Sequence, residues 1–231
     1  MTRTIPPERF SHLVEVATTT FIARGYRLTQ MADIAETLGV AKGTLYGYVE
    51  SKEALFDAAL RYADGHLPEP STEALPLPTP TKGATVEYVR GRLSAEAEDL
   101  MLVKVLGGSL VTDDPVDELK SVLSDMYRRI ASNRIALKLI DRCAAEYPDL
   151  ARAWFGEGRW AQHALLVQLL QSRAHHKRFR KVAHPDLVAR SIIETIAFWA
   201  MHRHFDPSPQ RVDDDQAQAA IVDLLVHGIV K

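Results

Sequence analysis

Apolar positions recur at helical spacing along nearly the whole chain. Phe10, Leu13, Val14, Ala17, Phe21 and Ile22 fall at steps of three and four, the signature of one buried helix face, and Gly25 follows as a C-terminal stop. Thr29 stands where an N-cap is expected for a short helix carrying Ile34 and Leu38, which Gly39 ends. A second short helical segment is predicted from about residue 40 to 48. Ser51 then caps a third helix with Leu55, Phe56, Ala59 and Leu60 on its apolar face and Glu53 in its first turn.

Residues 67–83 break the pattern. LPEPSTEALPLPTPTKG carries Pro68, Pro70, Pro76, Pro78 and Pro80, which excludes a continuous helix and predicts a loop or linker. Long amphipathic helices are predicted after it, over residues 85–106, 115–130, 134–145, 148–172, 185–204 and 214–229. Three of them begin at Pro115, Pro148 and Pro185, where the missing N–H costs nothing. No alternating run of strand length interrupts the series. The expected fold is all-α, with a three-helix head over residues 1–66, a Pro-rich linker over 67–83 and a larger helical domain over 84–231.

The densest information lies in residues 34–48, IAETLGVAKGTLYGY. A helix-turn-helix needs two helices crossing closely at a sharp turn. That requires a small residue at the contact (Ala35), a glycine four residues later at the turn (Gly39), and apolar flanks (Ile34, Leu38, Val40, Leu45) packing both helices on a third. The helix that ends at Gly25 supplies the third. The second helix of such a motif presents its N-terminal residues to base edges in the major groove.

The longer segment GYRLTQMADIAETLGVAKGTLYGYVESKEALF resembles the DNA-binding region of the tetracycline-repressor (TetR/AcrR) family of bacterial transcriptional regulators. Gly25, Tyr26, Thr29, Ile34, Ala35, Gly39, Val40, Gly43, Tyr46, Tyr48, Ser51, Lys52, Glu53 and Leu55 carry the likeness, over about the first quarter of the chain. The resemblance implies that Thr29 caps the first helix of the motif and that Lys42 and Thr44 face the major groove. It also implies that Tyr46, Tyr48 and Lys52 reach phosphates, and that Gln30 and Ala41 lie in the DNA-contacting set. Gly43 counts with Ile34, Ala35, Leu38, Gly39, Val40 and Leu45 as part of the motif's framework. Gln30 replaces a usual threonine and Ala41 a usual serine, Gly47 stands where a larger side chain is common, and Val49 replaces phenylalanine.

The resemblance further implies a homodimer on a near-palindromic double-stranded operator, with the larger domain holding a small, mainly apolar effector. Met101, Tyr127, Trp154, Phe155 and Trp160 are the expected pocket residues, and Arg142, Arg152 and Arg159 lie near them. No cofactor or metal is expected, since no pair among the nine histidines has ligand spacing. Gly156 and Gly158 follow no strand and form no dinucleotide loop.

Composition changes this picture little. With 231 residues, 46% hydrophobic and 25% charged, the chain is ordinary globular protein. A net charge of −2 marks no polyanionic partner, and the head is not basic: Arg3, Arg9, Arg24, Arg27, Lys42 and Lys52 face Glu8, Glu15, Asp33, Glu36, Glu50, Glu53 and Asp57. Arg3 and Arg9 are expected in an N-terminal arm. The basic run Arg173 to Lys181 is expected to be a solvated helix end. A lone Cys143, expected in the core, fits a reducing cytoplasm, and neither a secretory segment nor a stretch of about 20 apolar residues is present. A regulator, rather than an enzyme, is the expected class. A helical scaffold with weakened DNA binding is the alternative, and a helical enzyme the more distant one.

Overall fold

A computed structural model of the chain describes residues 8–109, 113–208 and 210–230. Arg3 lies outside them. The regular structure among the described residues is helical, and only isolated bridges, Val49 to Leu77 and Phe179 to Val230, have strand-like pairing there. None of the helices there is long and apolar enough to cross a membrane. The chain divides into two compact units, Met1–Arg90 with Ile135–Trp154, and Gly91–Arg134 with Phe155–Lys231.

The first unit is built on α1 (Glu8–Arg24), α2 (Met31–Thr37), α3 (Lys42–Leu45) and α4 (Lys52–Tyr62). Phe10, Leu13, Val14, Ala17 and Phe21 are buried, as their spacing predicts. Helix α1 packs on α4 through Phe21 and Phe56, whose rings meet edge-on at 5.3 Å. Ser51 caps α4 by accepting the Ala54 N–H at 3.1 Å. The Pro-rich segment is no free linker. Leu77 exchanges backbone hydrogen bonds with Tyr48 (2.8 Å) and Glu50 (3.0 Å), and the Thr79 hydroxyl donates to Ser51 Oγ at 2.8 Å.

The unit boundary also departs from the expected division at residues 67–83. Helix α5 (Ala84–Glu98) carries the first change of unit, between Arg90 and Gly91. Helices α8 (Arg134–Cys143) and α9 (Pro148–Ala151) join the first unit almost entirely. The reason is long-range bonding. Asp64 accepts the N–H groups of Ile135 (2.9 Å) and Ala136 (2.8 Å), Glu146 accepts that of Arg27 (2.6 Å), and Tyr147 stacks on Phe56 at 5.7 Å. Cys143 is fully buried there, and burial pushes its thiol up to about 11, far from nucleophilic.

The second unit packs α6 (Met101–Leu106), α7 (Pro115–Ser132), α10 (Trp160–His175), α11 (Pro185–Ala200) and α12 (Asp214–Ile229) around Leu119, Leu123, Leu166, Leu169, Ile192, Ile196 and Val226. Three expected helices are interrupted. The run 85–106 breaks at Asp99 and Leu100, because Arg129 holds the Asp99 carbonyl (2.9 Å) and the Asp125 carboxylate takes the Met101 N–H (3.0 Å). The run 148–172 passes through π-helical residues Arg152–Arg159, which contain Gly156 and Gly158. The run 185–204 stops at Ala200, where Arg203 takes the Trp199 carbonyl (2.6 Å) and the Val212 carbonyl (2.7 Å). Helix α12, in contrast, has the bounds its pattern predicts.

Candidate nucleic-acid interface

The turn of the helix-turn-helix follows from one glycine. Gly39 has φ +65, a left-handed conformation that strains any residue with a Cβ. In that conformation its N–H reaches Glu36 O (3.0 Å) and the next, from Val40, reaches Ala35 O (3.0 Å), the paired closure of a Schellman end. Ile34, Ala35 and Leu45 are buried beneath the crossing, and Leu38 and Val40 are half-buried at its edge. Ile34, Ala35 and Leu45 thus have the burial that a close crossing of two helices requires.

Gly43 is different. Its φ is not left-handed, and a Cβ built there has nothing within 4 Å. The expected framework role is therefore not one that the fold of this chain requires.

Thr29 does not cap α2. Its hydroxyl, fully buried, donates to Gly25 O at 2.7 Å and ties the α1–α2 turn together, while Gln30 is the N-cap. The Asp33 carboxylate accepts the Gln30 N–H at 2.9 Å and pairs with Arg24 at 3.0 Å. That backbone N–H, reinforced by the arginine, holds the Asp33 carboxyl below the usual carboxylate range.

Lys52 also turns inward. Its ammonium donates to Tyr26 O (3.0 Å) and Thr29 O (3.1 Å) and lies 4.3 Å from the Tyr26 ring centroid. Two of its three donors thus hold the turn rather than reach for a phosphate. Tyr48 is 4% exposed and belongs to the packing beneath α3. Outward-facing groups remain at Gln30, Ala41, Lys42 and Tyr46, the last 42% exposed, with Thr44 half-buried.

Four carboxylates of the head are held by internal partners. Asp33 holds Arg24, Asp57 holds Arg61 at 2.6 Å, Glu50 accepts the Thr79 N–H at 2.9 Å, and Glu53 accepts the Tyr26 hydroxyl at 3.0 Å. Lys42 has no carboxylate partner among the described residues. A summed charge does not report the potential at one face.

The expected pocket residues fall in both units. Tyr127 is buried in the second unit's core, its hydroxyl donating to Trp199 O at 3.2 Å, and Trp160 is 60% exposed, edge-on to His163. Met101, Trp154 and Phe155 are half-buried, Trp154 in the first unit and the other two in the second. Each nearby arginine has a partner: Arg142 has Glu146, Arg152 has Asp149 and Arg159 has Glu194.

A groove of about 460 Å³ lies instead between α11 and α12, lined by Leu187, Val188, Ile192, Leu224, Leu225 and Ile229. The basic run is solvated at His175, His176, Lys177, Arg180 and Lys181, but not throughout. Arg173 pairs with the buried Glu118 carboxylate at 2.7 Å, and Phe179 is buried. No cluster of three metal-ligating side chains occurs among the described residues.

Residues 13–59 match the family described as bacterial regulatory proteins, tetR family. The chain is 42% identical over 53 residues to the HTH-type transcriptional repressor KstR2 of Rhodococcus jostii (strain RHA1). That stretch is 23% of this chain and only 26% of the repressor's length. Over 100% of both chains it is similar to the ketosteroid transcriptional regulator KstR2 of Mycobacterium tuberculosis, with a TM-score of 0.58 at 20% identity. AibR, solved in complex with isovaleryl coenzyme A and operator DNA, aligns over 94% of this chain and 98% of its own, with a TM-score of 0.52 at 18% identity. At such identities the solved structures share a fold with this chain. The sequence likeness is thus confined to the helix-turn-helix within residues 13–59, which is similar to that of the tetR family of bacterial regulatory proteins.

Proposed function

We propose that the chain is a ligand-responsive transcriptional repressor that binds a near-palindromic operator as a homodimer. One observation carries this: the Gly39 turn supports a short α3 whose apolar side, Leu45, is buried while Lys42 and Tyr46 face solvent without side-chain partners among the described residues. Lys42 and Thr44 read the major groove, and Tyr46 donates its hydroxyl to a phosphate. Gln30 and Ala41 approach the same strand. The partner copy docks on the apolar groove of α11 and α12, where Leu187 and Leu224 are 65% and 64% exposed.

The effector is a small, mainly apolar molecule. The Trp154 indole N–H supports this, being buried with no acceptor among the described residues. Such a donor costs stability until a ligand oxygen or other acceptor meets it.

The test is retention of sheared genomic DNA across a salt series. Log affinity is expected to fall linearly with log salt, as phosphate binding requires. Tyr46→Phe should weaken selected and random fragments alike by on the order of 1 kcal/mol, whereas Lys42→Ala should relax the sequence preference. A protein that retains no DNA at any salt concentration overturns the reading. Effector binding is read separately, as tryptophan quenching that accompanies release of the retained DNA.

A further inference from the structure

Gly39, before α3, and Gly43, within it, have opposite reasons to be glycine. Gly39 answers a backbone demand, the left-handed φ of +65. At Gly43 the backbone makes no such demand and the surroundings impose none, for a Cβ there has nothing within 4 Å. After proline, glycine is the costliest residue in a helical backbone, because it has the most conformational freedom to lose. Within this chain, then, Gly43 weakens α3 and relieves no clash. Its space opens to solvent beside Lys42 and Tyr46, both exposed.

We propose that Gly43 is a docking notch. The missing side chain lets the base-pair edges of the major groove come into van der Waals contact with the α3 backbone, which makes position 43 a specificity-determining one. The inference rests on the reading of α3 as the recognition helix. Filling the notch would force the helix away from the bases, and the contacts of Lys42, Thr44 and Tyr46 would lengthen together. Overpacking of a close interface by a single methyl group is commonly felt as about a tenfold loss.

The experiment compares wild type, Gly43→Ala and Gly43→Leu by thermal unfolding and by affinity for a DNA fragment that wild type retains from the genome. Gly91→Ala calibrates the unfolding measurement, since Gly91 lies inside α5 and a Cβ there also meets nothing within 4 Å. Gly43→Ala is expected to keep or raise Tm, as Gly91→Ala does, yet to lose about tenfold in affinity for the selected fragment. Gly43→Leu is expected to lose more, and both to lose less on random DNA. A fall in Tm for Gly43→Ala, with affinity falling in step, would make the glycine structural and sink the proposal. Unchanged affinity in both variants would also sink it while leaving the DNA-binding reading intact. A wild type that retains no DNA would remove that reading and the inference with it.

Discussion

Single side chains in the head illustrate how a motif residue can be right in place and different in task. Lys52 lies where the resemblance puts a phosphate contact, yet its ammonium bonds the carbonyls of Tyr26 and Thr29. Lys52→Met should therefore destabilise the protein by about 1–2 kcal/mol in urea unfolding, through two orphaned carbonyls and a lost cation–π contact. The salt slope of DNA binding should barely move. A slope reduced by about one contact's worth, with stability unchanged, would restore the phosphate role. Nothing in the local sequence separates these outcomes, because the lysine's partners lie 23 and 26 residues away.

At the scale of elements, the start of α12 is joined to its neighbours by charge. Asp214 pairs with Arg134 and with Arg203 (2.6 Å), His204 lies 3.3 Å from it, and the Tyr127 hydroxyl is also within 3.3 Å. Partial burial would raise the Asp214 carboxyl, but the hydrogen bonds and charges of Arg134 and Arg203 outweigh it and hold the group below its ordinary 3.8. Burial, then the same two arginines, hold the His204 imidazole below its ordinary 6.5.

Both shifts act in one direction. A depressed native pKa contributes stability that is complete above the unfolded value and declines as pH falls through the native one. Urea midpoints should therefore begin to fall below about pH 6.5 through His204 and fall again below about pH 4 through Asp214. Asp214→Asn should be less stable at pH 7 and should flatten the lower limb. A wild-type profile flat from pH 7 to 3 would contradict this account of the cluster.

For the whole molecule, assembly is the prediction that matters most. Sedimentation at micromolar concentration should give about twice 25.8 kDa. The double variant Leu187→Glu with Leu224→Glu places charge on the two most exposed leucines of the α11–α12 groove. It should sediment as a monomer with unchanged helical content, and its DNA affinity should fall because two half-sites are no longer engaged together. A monomeric wild type would remove the two-fold operator from the proposal. A dimeric double variant would move the interface to another face.

The sequence by itself determined the helical class, the helix-turn-helix and most helix ends. Helical periodicity, Gly25, Gly39, Ser51 and the prolines at helix starts are local signals, and each acts within about one turn of its own position. Tertiary structure alone decided that residues 135–154 join the first unit, that Thr29 and Lys52 turn inward, that Tyr127 is core, and that the run 85–106 breaks at Asp99. These outcomes depend on Asp64, Glu146, Arg129 and Asp125 finding partners far along the chain. A buried or half-buried polar group must bond something, and periodicity does not say which distant group arrives beside it.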